Sequence, residues 1–189
     1  MIAAATFWET NPLPVVAMVL GTFLMATRLP GVIAPAKFRE AAVKFPRSVW
    51  AGRILMAIVA IWSGYRLFGA AVDEWAWARP VATFGIPVAY VLIIFFGNQF
   101  LSVRALAALM LLVANVAVRA ADQHESPWRL VVTVVAYIWV VAAIWMAAAP
   151  NQFRDVLTWF MADDRRCRTV CGAGLAVGAI LVALGAFVY

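Results

Sequence analysis

The sequence predicts an all-α integral membrane protein: one polytopic domain over residues 1–189, a bundle of six transmembrane helices with short amphipathic interfacial helices on the cytoplasmic side. Three observations predict it. First, the chain is 66% hydrophobic and 13% charged, whereas soluble domains run at about 45–50% and about 25%. A water-soluble fold of 189 residues has no interior large enough to hide that much apolar surface, so the bilayer is its natural solvent. Second, charges divide the chain into six apolar runs, and a spanning helix needs about 20 mainly apolar residues. Third, the basic residues are distributed unevenly between alternate connections.

The first run is Leu13 to Thr27, bounded by Glu9 and Arg28, and the second is Val49 to Ala71. The third lies between Arg79 and Gly97, the fourth is Leu101 to Ala121, the fifth Pro127 to Ala149 and the sixth Thr169 to Tyr189. They pair into hairpins over about 13–71, 80–121 and 127–189. Gly97-Asn98 is read as a tight turn, because both residues tolerate left-handed backbone angles. Without that turn Val81 to Val118 would be a single helix of roughly 57 Å, nearly twice the hydrocarbon thickness. Ser126-Pro127 reads as an N-cap followed by proline at the first helical position.

Arg28, Lys37, Arg39, Lys44, Arg47, Arg53, Arg104, Arg154, Arg165, Arg166 and Arg168 fall on one side of this arrangement. Arg66, Arg79, Arg119 and Arg129 fall on the other. The positive-inside rule places the larger group in the cytoplasm, so both termini face outward, and the expected location is a cell membrane, the bacterial inner membrane. Trp8, Trp75, Trp77 and Trp128 then mark the outer boundary and Trp50 and Trp159 the inner one, as an aromatic belt does. The net charge of +6 serves orientation and anionic lipid, not nucleic acid. The stretch before Asn11 lacks the basic n-region of a cleaved signal.

Ala34 to Phe45 and Ala149 to Phe160 are alike. Ala, Pro, both Phe and Arg coincide, and Glu40 matches Asp155. Each copy follows an apolar run and precedes another. Each sets apolar residues at i, i+3, i+4 and i+7: Phe38, Ala41, Ala42 and Phe45, then Phe153, Val156, Leu157 and Phe160. That spacing makes one helical face, expected to rest in the headgroup region. The alternatives are an internal duplication and convergent interface chemistry.

No Asp, Glu, His or Lys lies at the centre of a run. Such residues are the usual mark of proton and ion pathways, so no catalytic group, cofactor or metal site is expected. His124 stands alone in an outer loop, and Cys167 and Cys171, four apart, are too few for a zinc site. Arg53 and Arg66 are separated by roughly 20 Å of helix and Arg104 and Arg119 by roughly 22 Å, less than the apolar core. With Arg39 and Arg154 they are expected to reach lipid headgroups. Gly172, Gly174, Gly178 and Gly185 are expected to form a helix-packing seam, since Gly-x-x-x-Gly lets helices approach closely. Tyr137, Trp139 and Trp145 lie deeper than a belt and are expected to fill the space those glycines leave or to line an apolar pocket. Asn115 needs a partner inside the bundle.

The last hairpin, with Pro150, Phe153-Arg154, Arg165-Arg166, Arg168 and then the glycines from Gly172, resembles a small two-helix family of bacterial inner-membrane proteins of unknown function. The resemblance implies a membrane hairpin and no activity. The function expected from the residues is that of a non-catalytic membrane subunit, a scaffold or accessory component. Its partners would be membrane lipids and other membrane subunits or further copies of the chain. The competing expectation is a small channel or facilitator for an uncharged or lipophilic solute.

Overall fold

The computed structural model describes residues 12–70, 81–96 and 100–189. Among these the chain is all-helical. In order come α1 (Pro12–Ile33), α2 (Pro35–Lys44), a 3-10 turn (Phe45–Arg47) and α3 (Val49–Ala70). A π-helical turn (Val81–Gly85) leads into α4 (Ile86–Phe96), followed by α5 (Leu101–Asp122), α6 (Arg129–Ala148), α7 (Pro150–Phe160) and α8 (Asp164–Phe187). Among the described residues four helices are long and apolar enough to cross a membrane: α1, α5, α6 and α8. The bent pair Pro35–Arg47 and Val49–Arg66, turned through 72°, makes a possible fifth. The Gly97-Asn98 turn, Trp8, Trp75, Trp77 and Arg79 lie outside the described residues.

Several helix ends differ from the charge boundaries. α1 runs past Arg28 to Ile33, and α8 begins at Asp164, before its arginines. Arginine is a good helix former, so a charge limits the apolar run without ending the helix. At the fifth run, Ser126 Oγ accepts from Trp128 N at 3.4 Å, and α6 starts at Arg129 beyond that turn.

The one-residue breaks before α2 and α7 are built alike. Pro35 and Pro150 open the short helices, where proline's missing N–H costs nothing, and proline disfavours helical angles in the residue before it. The hydrogen-bond ladder still crosses each break. Ala34 N donates to Pro30 O at 2.9 Å and Phe38 N to Ala34 O at 3.1 Å. Likewise Ala149 N donates to Trp145 O at 2.9 Å and Phe153 N to Ala149 O at 3.1 Å.

Two compact units are present. One comprises residues 1–43, 113–141 and 154–189; the other comprises 44–112 and 142–153. In the first, Leu13, Val16, Ala17, Leu20 and Leu24 of α1 are buried with Ala114, Ala117, Ala120 and Ala121 of α5, Val132 and Ala136 of α6, and Leu181 of α8. In the second, Val103 and Ala107 of α5 pack on Ala143 and Met146 of α6, flanked by Phe100 and Phe153. There Ser102, 1% exposed, donates to Phe45 O at 2.9 Å or Pro46 O at 3.0 Å, which fastens the start of α5 to the 3-10 turn.

Candidate functional site

The closest helix pairing in the first unit is α1 against α8. Gly185 meets Pro14 and Met18, Gly178 meets Gly21, Leu24 and Met25, Gly174 meets Arg28, and Gly31 meets Cys171. The order reverses along the two helices, so they run antiparallel. On α8 the contact positions are Cys167, Cys171, Gly174, Gly178, Leu181 and Gly185, spaced four, three, four, three, four. This is the 3.5-residue repeat of a helix–helix seam, built from small residues so that the backbones approach. Gly172 is off it: a Cβ there would meet nothing within 4 Å. The signal that marks the seam is spacing, and by that measure Cys167, Cys171 and Leu181 belong to it.

The partner across the glycines is α1, not the aromatic residues of α6. Trp139 is half-buried against the α1–α5–α6 core. Tyr137 is 57% exposed on the outside of α6. Trp145, on the second unit's stretch of α6, donates Nε1–H to Gln152 Oε1 at 3.2 Å and meets the Phe153 ring edge-on at 6.2 Å between centroids.

At the elbow end of the first unit, the apolar sides of α2 and α7 turn inward. Phe38, Ala42, Leu157, Phe160 and Val32 surround Met161, Cys167 and Cys171. The expectation that Phe38 and Phe160 rest among headgroups is therefore corrected: burial against protein removes the same apolar area from water. Only Val43, Val156 and Trp159 remain as large apolar side chains exposed on these two helices, with the Arg166 guanidinium 4.5 Å over the Trp159 ring.

Arg39 is also corrected. Its guanidinium forms an ion pair with Asp164 and donates to the carbonyls of Met161 and Ala162, the latter at 2.7 Å. Those carbonyls follow the C-terminus of α7, where orphan acceptors and the helix dipole attract a cation. Asp164 occupies the first turn of α8, where an acid is favoured. One planar fork thus holds α2 to the α7–α8 turn. Arg154, at the matching place in the similar segment, binds the adjacent Asp155 Oδ1 at 2.9 and 2.7 Å.

No protein family, curated protein or solved structure matches the chain. Its interpretation rests on its own side chains. Among the remaining arginines, Arg104 and Arg119 are exposed, and Arg66 is half-buried and not free. Arg53 lies 5.8 Å over the Trp50 ring, and its buried Nε has no hydrogen-bond partner among the described residues. Arg28, absent from the expected headgroup set, lays its aliphatic stem over Gly174. Only a search for contacts between the first and last helices could have picked it out.

At the opposite end of the first unit, His124 Nδ1 accepts from Ser126 N at 3.2 Å. Its ring meets Tyr189 edge-on at 5.5 Å. Tyr189 Oη donates to Trp128 O at 2.7 Å, and Arg129 Nη1 donates to His124 O at 3.0 Å. These bonds close the loop between α5 and α6 over the end of α8.

Proposed function

We propose that the chain is a non-catalytic membrane subunit that packs against other membrane proteins and lipid. One observation supports this most directly. α6 carries two faces, each with helix-pairing spacing. Val132, Ala136, Trp139, Ala143 and Met146 turn toward the cores. Leu130, Val134, Tyr137, Val141 and Ile144 are 56–68% exposed, and they too are spaced four, three, four, three. That outer face suits a transmembrane helix of a partner or of a second copy.

In this reading all six apolar runs cross the bilayer, with the segments containing α3 and α4 as the second and third, and both termini lie outside a bacterial inner membrane. Arg28, Arg53, Arg104 and Arg119 meet lipid phosphates. α2 and α7 lie at the cytoplasmic surface, with Trp159 and Arg166 toward the headgroups. The matched breaks at Ala34-Pro35 and Ala149-Pro150 descend from one duplicated hairpin.

The test is gentle extraction from the native membrane combined with cysteine cross-linking from the outer face of α6, using Val134→Cys and Val141→Cys. A defined oligomer or co-purifying subunit that cross-links at these positions is the expected result. A monodisperse monomer with no adduct at either position overturns the proposal. Flux of uncharged solutes into liposomes holding that monomer would establish the facilitator reading instead.

A further inference from the structure

The packing reading accounts for the burial of the cluster beneath the α2–α7 elbow but not for its sulphur. Its buried members are Met161, Cys167 and Cys171, at 4%, 0% and 0% exposure, and each carries sulphur. These are the chain's only two cysteines. The i, i+4 spacing sets both thiols on one face of α8. Both converge on Gly31. Cys167 Sγ lies 3.9 Å from its carbonyl oxygen, and Cys171 Sγ lies 2.3 Å from the point a Cβ would occupy. A glycine on α1 is therefore what leaves room for the sulphurs. The two thiols are near enough to interact electrostatically, and the Arg39 guanidinium acts on Cys167 from the elbow.

We propose that Met161, Cys167 and Cys171 form a buried three-sulphur site for a soft monovalent cation of the Cu(I) class. Thiolate and thioether donors select Cu(I), whereas carboxylate and carbonyl oxygens select Mg²⁺ and Ca²⁺. The apolar side chains of Val32, Phe38, Ala42, Leu157 and Phe160 pack around the sulphurs, and the Asp164 carboxylate, which acts on Cys167 from the elbow, is held in its ion pair with Arg39. Among the described residues no cluster of three or more His, Cys, Asp or Glu exists, so four-coordinate zinc lacks its donor set. Binding exchanges protons for metal: one Cu(I) and two thiols give a bis-thiolate complex of charge −1 and two released protons, with no electron transferred. Met161 supplies a neutral third donor. The Arg39–Asp164 ion pair lies beside that complex. The same arginine straps the turn that bears Met161, so opening this strap is the route by which an ion reaches a cluster with no exposed sulphur.

The test uses the full chain in mild detergent, reduced and kept free of oxygen, titrated with Cu(I) as its bicinchoninate complex. The expected result is withdrawal of one ion per chain from the chelator, with a thiolate-to-Cu(I) ultraviolet band and two protons released to a pH indicator. Cys167→Ser and Cys171→Ser each weaken binding at least tenfold, and Met161→Leu, which preserves volume, weakens it less. The proton count is made on the unaltered chain, so it stands whether or not the serine variants fold. Failure of the unaltered chain to take Cu(I) from the chelator, uptake without proton release, or uptake retained by a folded Cys167→Ser/Cys171→Ser double variant overturns the site.

Discussion

Gly21 and Gly178 face each other across the α1–α8 seam. A Cβ on Gly21 would stand 2.5 Å from the Gly178 carbonyl oxygen, and one on Gly178 would stand 2.8 Å from the Gly21 carbonyl oxygen. Both obstacles are backbone, which cannot rotate away as a side chain can. Alanine gains about 1 kcal/mol over glycine in helix propensity, and forced overpacking costs about 1–3 kcal/mol. Here the clash wins. Gly21→Ala and Gly178→Ala are expected to lower the unfolding temperature in detergent, and Gly178→Leu to prevent assembly of a native fold. Gly172→Ala, with open space at its Cβ, is expected to leave stability unchanged or raise it slightly. Equal losses at Gly172 and Gly178 would refute the seam as drawn.

Arg39 and Arg154 occupy matching places in the two similar segments, yet their substitution is expected to differ. Arg39→Ala removes an ion pair and two charge-assisted bonds to carbonyls at the end of α7, and a charged hydrogen bond contributes about 1.5–3 kcal/mol. A net loss of about 3 kcal/mol is expected, with α2 released from the α7–α8 turn. Lysine lacks the planar fork, so Arg39→Lys recovers only part of this. Arg154→Ala breaks an exposed pair between neighbours in sequence, a contact that contributes at most about 1 kcal/mol. The same comparison reports on the buried thiols: Arg39→Ala is expected to speed alkylation of Cys167 and Cys171, and Arg154→Ala to leave it unchanged.

How much of this was legible in the sequence depends on the range of the interaction. α1, α5, α6 and α8 are legible because a long, mainly apolar run is a local property, and Pro35 and Pro150 mark the breaks after α1 and α6 by local sterics. α1 ends and α8 begins beyond the apolar runs, because Arg28 and Arg168 bound those runs without ending the helices. The partners of Arg39 lie 122 to 125 residues away, so nothing local separates a strap from a headgroup anchor. Choosing seam residues by being glycine selected Gly172 wrongly and passed over Cys167 and Cys171. Choosing them by the four-three alternation selects the observed set, since register, not residue type alone, decides which side chains face a neighbour.

In the second unit the start of α5 is fixed by a single hydroxyl. Ser102→Ala removes a buried donor from the Pro46 carbonyl and from the Phe45 carbonyl, which keeps its bond from Ser48 N at 3.0 Å. The expected cost is about 0.5–1.5 kcal/mol, the net contribution of one hydrogen bond. Gly52 abuts this point: its Cβ would stand 2.8 Å from Ser102 N and 3.0 Å from Leu101 Cβ. Gly52→Ala is therefore expected to destabilise the same junction, and the double variant to cost less than the two losses added, because neighbouring sites couple. Thermal unfolding of the four chains measures this coupling, and strict additivity would argue against a shared junction.

Tyr189 supplies a pH dependence whose sign follows from its surroundings. Burial disfavours the charged phenolate and raises the hydroxyl pKa above its ordinary value of 10.0, while the neutral form donates to Trp128 O. A group whose folded pKa is raised contributes stability that is fully present below the unfolded value and is lost as pH rises through the folded one. The loop between α5 and α6 is therefore expected to hold the end of α8 at neutral pH and to loosen only above pH 10. Tyr189→Phe keeps the ring against His124 but removes the donor, so it is expected to unfold at a slightly lower temperature at neutral pH and to lose this alkaline component. Thermal unfolding of both chains at neutral pH and above pH 10, with the alkaline loss expected in the unaltered chain alone, reports the change. Equal alkaline loss in both chains would place the titrating group elsewhere.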